Sequence, residues 1–134
     1  MSREIKFRAW DKKHRKYTKV LKIYFGSDGS NLGALVEDYE TNYAFELQAN
    51  QVKFEQYTGL KDRNGEGIYE GDIVTMEYDL DDLEPDDYYV ITFKDGCFRV
   101  GNDYENEAGI YLSDWCVIGN IHENPELIDC QSDG

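Results

Sequence analysis

The chain has 134 residues, 40% of them apolar and 14% aromatic, with two prolines; it can bury a core and is too apolar for intrinsic disorder. Its net charge of −14 is unevenly spread, because residues 1–25 hold nine Lys or Arg against two acids while residues 26–134 hold five against 26. No apolar run approaches the ~18–20 residues of a membrane span, and an acidic body repels nucleic-acid backbone within a Debye length of ~8–10 Å.

In chain order, Met1-Ser2-Arg3-Glu4 leads straight into alternating sequence and not into a signal peptide, so a cytoplasmic protein is expected. Ile5, Phe7 and Ala9 alternate with Lys6, Arg8 and Trp10, the period of a half-buried strand. The basic run Lys12-Lys13-His14-Arg15-Lys16 then reads as an exposed turn. In residues 17–36, a two-residue turn at Asp28-Gly29 sets Phe25 opposite Leu32, Ile23 opposite Ala34 and Leu21 opposite Val36 on one face, with Lys22 and Tyr24 on the other. Tyr43, Phe45 and Leu47 alternate with Glu46 and Gln48, and Val52 and Phe54 begin another strand. Residues 58–67 predict a loop, and Glu70-Gly71-Asp72 a tight turn into a strand from Ile73 to Tyr78. A second turn at Asp95-Gly96 pairs Phe93 with Phe98 and Ile91 with Val100 on the core side, leaving Thr92 and Arg99 opposite. Near the end, Asn124 suits a helix cap, Pro125 the first helical position and Glu126 the positive end of a helix dipole, for one short helical turn.

These elements predict an all-β, mainly antiparallel single domain over residues 1–134. It comprises an N-terminal β meander (1–57), an SH3-type small barrel (68–122) and a C-terminal tail (123–134). Three segments carry a resemblance: Ile5-Lys6-Phe7-Arg8-Ala9-Trp10-Asp11; Gln56 to Gly65 running into Ile68-Tyr69-Glu70-Gly71-Asp72-Ile73-Val74; and Val117-Ile118-Gly119-Asn120-Ile121-His122-Glu123-Asn124-Pro125-Glu126-Leu127. In order and spacing the chain resembles the YopX-like proteins of bacteriophages and prophages. That resemblance implies the same barrel with a meander packed on it, and a phage or prophage origin in a bacterial host; it supplies no biochemical role. Gly67 departs from the polar residue expected before Ile68-Tyr69-Glu70-Gly71-Asp72, which bears only on the shape of the loop.

Each chemistry-bearing group in the sequence also has a plainer role. Asp79, Asp81, Asp82, Glu84, Asp86 and Asp87 begin like a calcium loop but lack its sixth-position glycine, so a solvated loop comes first, a contact surface for a basic partner second and an adventitious cation site third. Tyr88 adjoins them, and tyrosine beside carboxylates suits protein docking, although most of the eleven tyrosines fit a small β core. The basic run could touch phosphates, but no aromatic platform or glycine-rich nest accompanies it. His14 and His122 stand in unrelated segments with no triad partner, and Cys97, Cys116 and Cys130 show no metal or disulfide spacing. Gly59 to Gly71 lacks the Gly-Lys-Ser/Thr ending of a phosphate loop.

The expectation is therefore a non-enzymatic protein-interaction module with no catalytic residue, cofactor or metal. Its partner is a host or phage protein with basic character, docked on Asp79, Asp81, Asp82, Glu84, Asp86, Asp87 and Tyr88. Direct nucleic-acid or membrane binding is not expected, and a homo-oligomer is compatible with the chain. Two alternatives are a DNA mimic that inhibits a host DNA-binding protein and a metal-dependent enzyme using the acidic loop.

Overall fold

The computed structural model describes residues 4–76, 88–101 and 115–128. The chain divides into two compact units, one over Ile5–Gln56 and one built from Tyr57 onward. Both are antiparallel β, as the alternation predicts.

The first unit is a sheet in the order β4 (Ala44–Gln48), β3 (Asn31–Glu37), β2 (Lys16–Phe25), β1 (Phe7–Asp11), β5 (Val52–Lys61), with a single 3-10 turn at Ala49–Gln51 before β5. Period-two alternation sends Ala9, Ala34, Val36, Leu47 and Val52 to one face, where they form a buried cluster flanked by Val20, Phe45 and Phe54. The opposite face carries Arg8, Tyr17 and Glu55.

The β2–β3 hairpin corrects its expected register. Ile23 faces Ala34, but Phe25 faces Asn31 and Val20, not Leu21, faces Val36, with register shifts between Val20 and Lys22 and between Tyr24 and Phe25. The cause lies in the turn: Gly26 N donates to Ser30 O at 2.8 Å, and Asp28 Oδ1 accepts from both Ser30 N and Ser30 Oγ. Asp28-Gly29 thus belongs to a loop spanning residues 26–30, and Leu21 and Leu32 become exposed where the strands absorb the difference.

In the second unit the end of β5 pairs with β6 (Gly67–Tyr69), so the loop expected over residues 58–67 contracts to 62–66. Asp62, buried, holds it: Oδ1 accepts from Asn64 N and Glu66 N, and Oδ2 accepts from Val117 N, each at 2.9 Å. A four-stranded sheet follows in the order β10 (Trp115–Asn120), β7 (Asp72–Met76), β8 (Tyr89–Lys94), β9 (Cys97–Val100). Ile68, Val74, Ile91 and Val100 form its core, with Tyr89, Trp115 and Val117 against them. The expected all-β, antiparallel class holds, and among the described residues these four strands form a sheet with β9 and β10 at its edges and no pairing that closes it. Turn chemistry reports neighbouring pairs, whereas closure needs a pairing between distant strands that no local pattern encodes.

The β8–β9 hairpin keeps its predicted register throughout, with Ile91 opposite Val100, Thr92 opposite Arg99 and Phe93 opposite Phe98. Asp95 and Gly96 have φ of 53° and 81°, positive at both central positions as the two-residue turn requires. The Phe93 and Phe98 rings meet edge to face at 5.0 Å, yet Phe93 is 51% exposed, so the pair is not a core element. Ile91 and Val100 already fill the core end of this face, and the rings lie beyond them toward the tip.

After β10 the chain closes on itself. Asn124 N donates to Asn120 O, and Leu127 N and Ile128 N donate to Asn124 O and Pro125 O, forming the predicted helical turn. The Asn124 side chain does not take the expected capping role; its Oδ1 accepts from Asn120 N at 3.1 Å. It lies over Gly119, where a Cβ would stand 2.5 Å from that oxygen.

Candidate functional site

In an up-and-down meander the β1–β2 and β3–β4 turns fall at the same end of the sheet, and each is built on an aspartate. Asp11 is fully buried. Its Oδ1 accepts from Lys13 N at 2.9 Å and His14 N at 3.0 Å, its Oδ2 lies 2.6 Å from His14 Nδ1, and its backbone oxygen accepts from Arg15 N. These bonds bend the basic run into a turn with Arg15 at φ 56° and pin the His14 ring. Asp38 shapes the second turn in the same way, accepting from Thr41 Oγ1 at 2.9 Å through Oδ2 and from Glu40 N at 3.4 Å through Oδ1. The Thr41 hydroxyl, and after it the Lys16 ammonium, hold the Asp38 carboxyl below its ordinary range against the opposing effect of burial.

Between the turns lies a pocket of about 340 Å³ lined by His14, Lys16, Asp38, Tyr43 and Phe45. Lys16 Nζ stands 3.2 Å from Asp38 Oδ2. The His14 ring meets Phe45 edge-on at 5.8 Å, and Tyr43 stacks on Phe45 with centroids 6.2 Å apart and planes at 21°. With Nδ1 committed to Asp11, the ring nitrogen left for a ligand is Nε2, an acceptor in the neutral imidazole and a donor in the cation. Two cationic-type groups, one carboxylate and two rings converge, an arrangement suited to binding.

A second polar cluster occupies the other face of the same sheet. Glu55, 1% exposed, accepts from Arg8 Nε and Tyr17 OH through Oε1, each at 2.8 Å. The Arg8 guanidinium lies 4.5 Å from the Tyr17 ring centroid, and Trp10 packs edge-on against Tyr17 at 5.0 Å. Arg8 and Glu55 are direct cross-strand partners, so the ion pair fixes the β1–β5 register.

Of the residues expected to dock a partner, Asp79, Asp81, Asp82, Glu84, Asp86 and Asp87 lie outside the described residues, as does Cys130. Tyr88 is half-buried just before β8, whose Tyr89 packs edge-on against Trp115 at 5.3 Å. His122 N donates to Asn120 Oδ1 in the closing turn. The pocket itself was missed in the sequence: Asp-x-x-His at a turn is a readable signal for the Asp11–His14 pair, but Tyr43 and Phe45 reach it only through the meander.

Two crystal structures share this fold. Protein EF1440 from Enterococcus faecalis is 27% identical, with the match covering 95% of this chain and 99% of that one at a TM-score of 0.64. The protein yopX from Bacillus subtilis is 23% identical over 90% of this chain and 95% of that one, at a TM-score of 0.58. No curated protein matches the sequence. The model of the YopX protein family matches residues 6–129, taking in both aspartate-built turns, the Asp62 loop and the Gly119–Asn124 closure, and the chain belongs to that family.

Proposed function

We propose that the protein is a non-enzymatic interaction module of phage or prophage origin, working in the cytoplasm of a bacterial host, whose partner is a protein with a basic contact surface. The supporting observation is the division of charge between the compact units. Ile5–Gln56 carries nine Lys or Arg against seven acids, whereas residues 57–134 carry four against 20, a net −16. Arg8 pairs with Glu55, His14 with Asp11 and Lys16 with Asp38, each an acid of the same unit. A field of one sign steers a complementary partner and loses that effect as salt screens it. Asp79, Asp81, Asp82, Glu84, Asp86, Asp87 and Tyr88 are the proposed contact residues.

The test is capture from host lysate at low and high salt, followed by association kinetics with the captured protein. Changing Asp81, Asp82, Asp86 and Asp87 together to Asn should slow association and flatten its salt dependence while leaving the fold intact. Unchanged rate and salt dependence would remove this face from the account. Displacement of the partner by DNA would narrow the reading to DNA mimicry, and a large thermal stabilisation by Mg²⁺, Mn²⁺ or Ca²⁺ would favour the metal-dependent alternative.

A further inference from the structure

The fold brings an aromatic pair, Tyr43 and Phe45, to the basic run from the β3–β4 turn and strand β4. Lys12, Lys13 and Arg15 are exposed around the mouth of the first turn, with His14 and Lys16 in the pocket wall. Beside them Tyr43 is 69% exposed although it stacks on Phe45, so it holds an aromatic surface in water at the rim of the pocket that His14 and Lys16 line. Asp38 adds a third kind of group. Its Oδ2 is taken by Thr41 and Lys16, but its Oδ1 holds only the 3.4 Å contact from Glu40 N and retains a lone pair for an outside donor.

We infer that this pocket binds a phosphorylated nucleoside, its phosphate at Lys16 and at Nε2 of the His14 imidazolium, its base on the Tyr43–Phe45 pair and an exocyclic amino group on Asp38 Oδ1. A bare phosphate would leave the rings unused, and a ligand with a second anion at its planar end would meet the Asp38 carboxylate. A base with an amino group is planar, stacks on aromatic rings and donates to carboxylates. The pocket volume of about 340 Å³ lies at the small end of ligand sites, enough for one nucleotide and too little for a duplex. The ligand chemistry is common to a free nucleotide and to a 5′-phosphorylated strand end. The pocket shares no residue with the acidic contact set proposed above, and its failure would leave that proposal standing.

The experiment is calorimetric titration of the full chain with AMP, CMP, UMP, inorganic phosphate and a phosphotyrosine peptide, and with a 5′-phosphorylated single-stranded oligonucleotide beginning with adenosine. Saturable AMP and CMP binding, with UMP and phosphate each weaker, is expected. Tyr43→Ala, at an exposed position, should weaken AMP about tenfold through the lost stacking. His14→Ala should weaken it and leave the circular dichroism unchanged. Oligonucleotide binding tighter than AMP assigns the natural ligand to a strand end, and the reverse assigns it to a free nucleotide. No AMP binding at millimolar concentration, equal binding of inorganic phosphate, tighter binding of a phosphotyrosine peptide than of any nucleotide, or insensitivity to Tyr43→Ala would overturn the assignment.

Discussion

Replacing Gly33 by alanine should cost this protein far more than a single methyl group suggests. Gly33 sits inside β3 with φ at 135°, in the left-handed half of backbone space, paired on one side with Tyr24 and on the other with Gln48. A Cβ there would overlap Leu47 O outright and stand 3.1 Å from Gln48 Cα and 3.2 Å from Leu47 C. All three are backbone atoms of the neighbouring strand, so no side chain can swing aside. The backbone conformation alone costs about 1–3 kcal/mol for a non-glycine residue. Pushing β4 away forfeits one or two ladder hydrogen bonds, each about 1 kcal/mol net, and loosens the cover over Leu47, which is 3% exposed. The first two terms add to about 2–5 kcal/mol, and the loosened cover over Leu47 places the expected cost at about 3–5 kcal/mol. Gly96→Ala is the control, since Gly96 also has positive φ but nothing within 4 Å of its Cβ position, and about 1–2 kcal/mol is expected. Urea unfolding followed by circular dichroism should put the Gly33→Ala midpoint roughly 2 M below the parent, at a slope of about 2 kcal/mol/M. Stability within about 1 kcal/mol of the Gly96→Ala protein would show that β4 yields to the methyl group and would refute the reasoning.

Glu55→Ala removes the acceptor shared by Arg8 Nε and Tyr17 OH and should destabilise by about 3–5 kcal/mol, with Glu55→Gln recovering part of it in the same urea assay. Asp62→Ala strips an acceptor from three backbone amides and should cost about 2–4 kcal/mol, with hydrogen exchange accelerated at Asn64, Glu66 and Val117. Because the folded Asp38 pKa lies below its ordinary value, its contribution is present above an unfolded value of about 3.9 and is lost as pH falls through the lower folded one. Thr41→Val removes the leading cause and should move the Asp38 carboxyl titration, followed by NMR, upward toward that ordinary value; an unmoved titration would exclude Thr41 as the cause.

The β8–β9 hairpin was legible because Asp95-Gly96 accepts positive φ at both positions and the flanking period of two allows one register. The β2–β3 hairpin carries the same dipeptide, yet Asp28 spends its carboxylate on Ser30 and Gly26 closes a wider loop. A dipeptide cannot signal that difference. Both Asp11-x-x-His14 and the Asp38 turn are local and readable, but their convergence depends on strand order. The Phe93 ring shows the remaining gap: alternation reports which face a residue occupies, not whether the core extends far enough along the strand to cover it.

The Asn124 side chain that lies over Gly119 also constrains how this chain can change by descent. A side chain at 119 would collide with Asn124 Oδ1, Cγ and Cβ, so position 119 is closed to anything larger while Asn124 keeps its place. Removing Asn124 first would open that space, at the cost of the acceptor for Asn120 N. The two sites therefore form an ordered pair, in which substitution at 124 must precede substitution at 119 and each alters what the other tolerates. Descendant sequences should hold Gly119 wherever Asn124 is held, and should show a larger residue at 119 only in lineages that have already lost the asparagine.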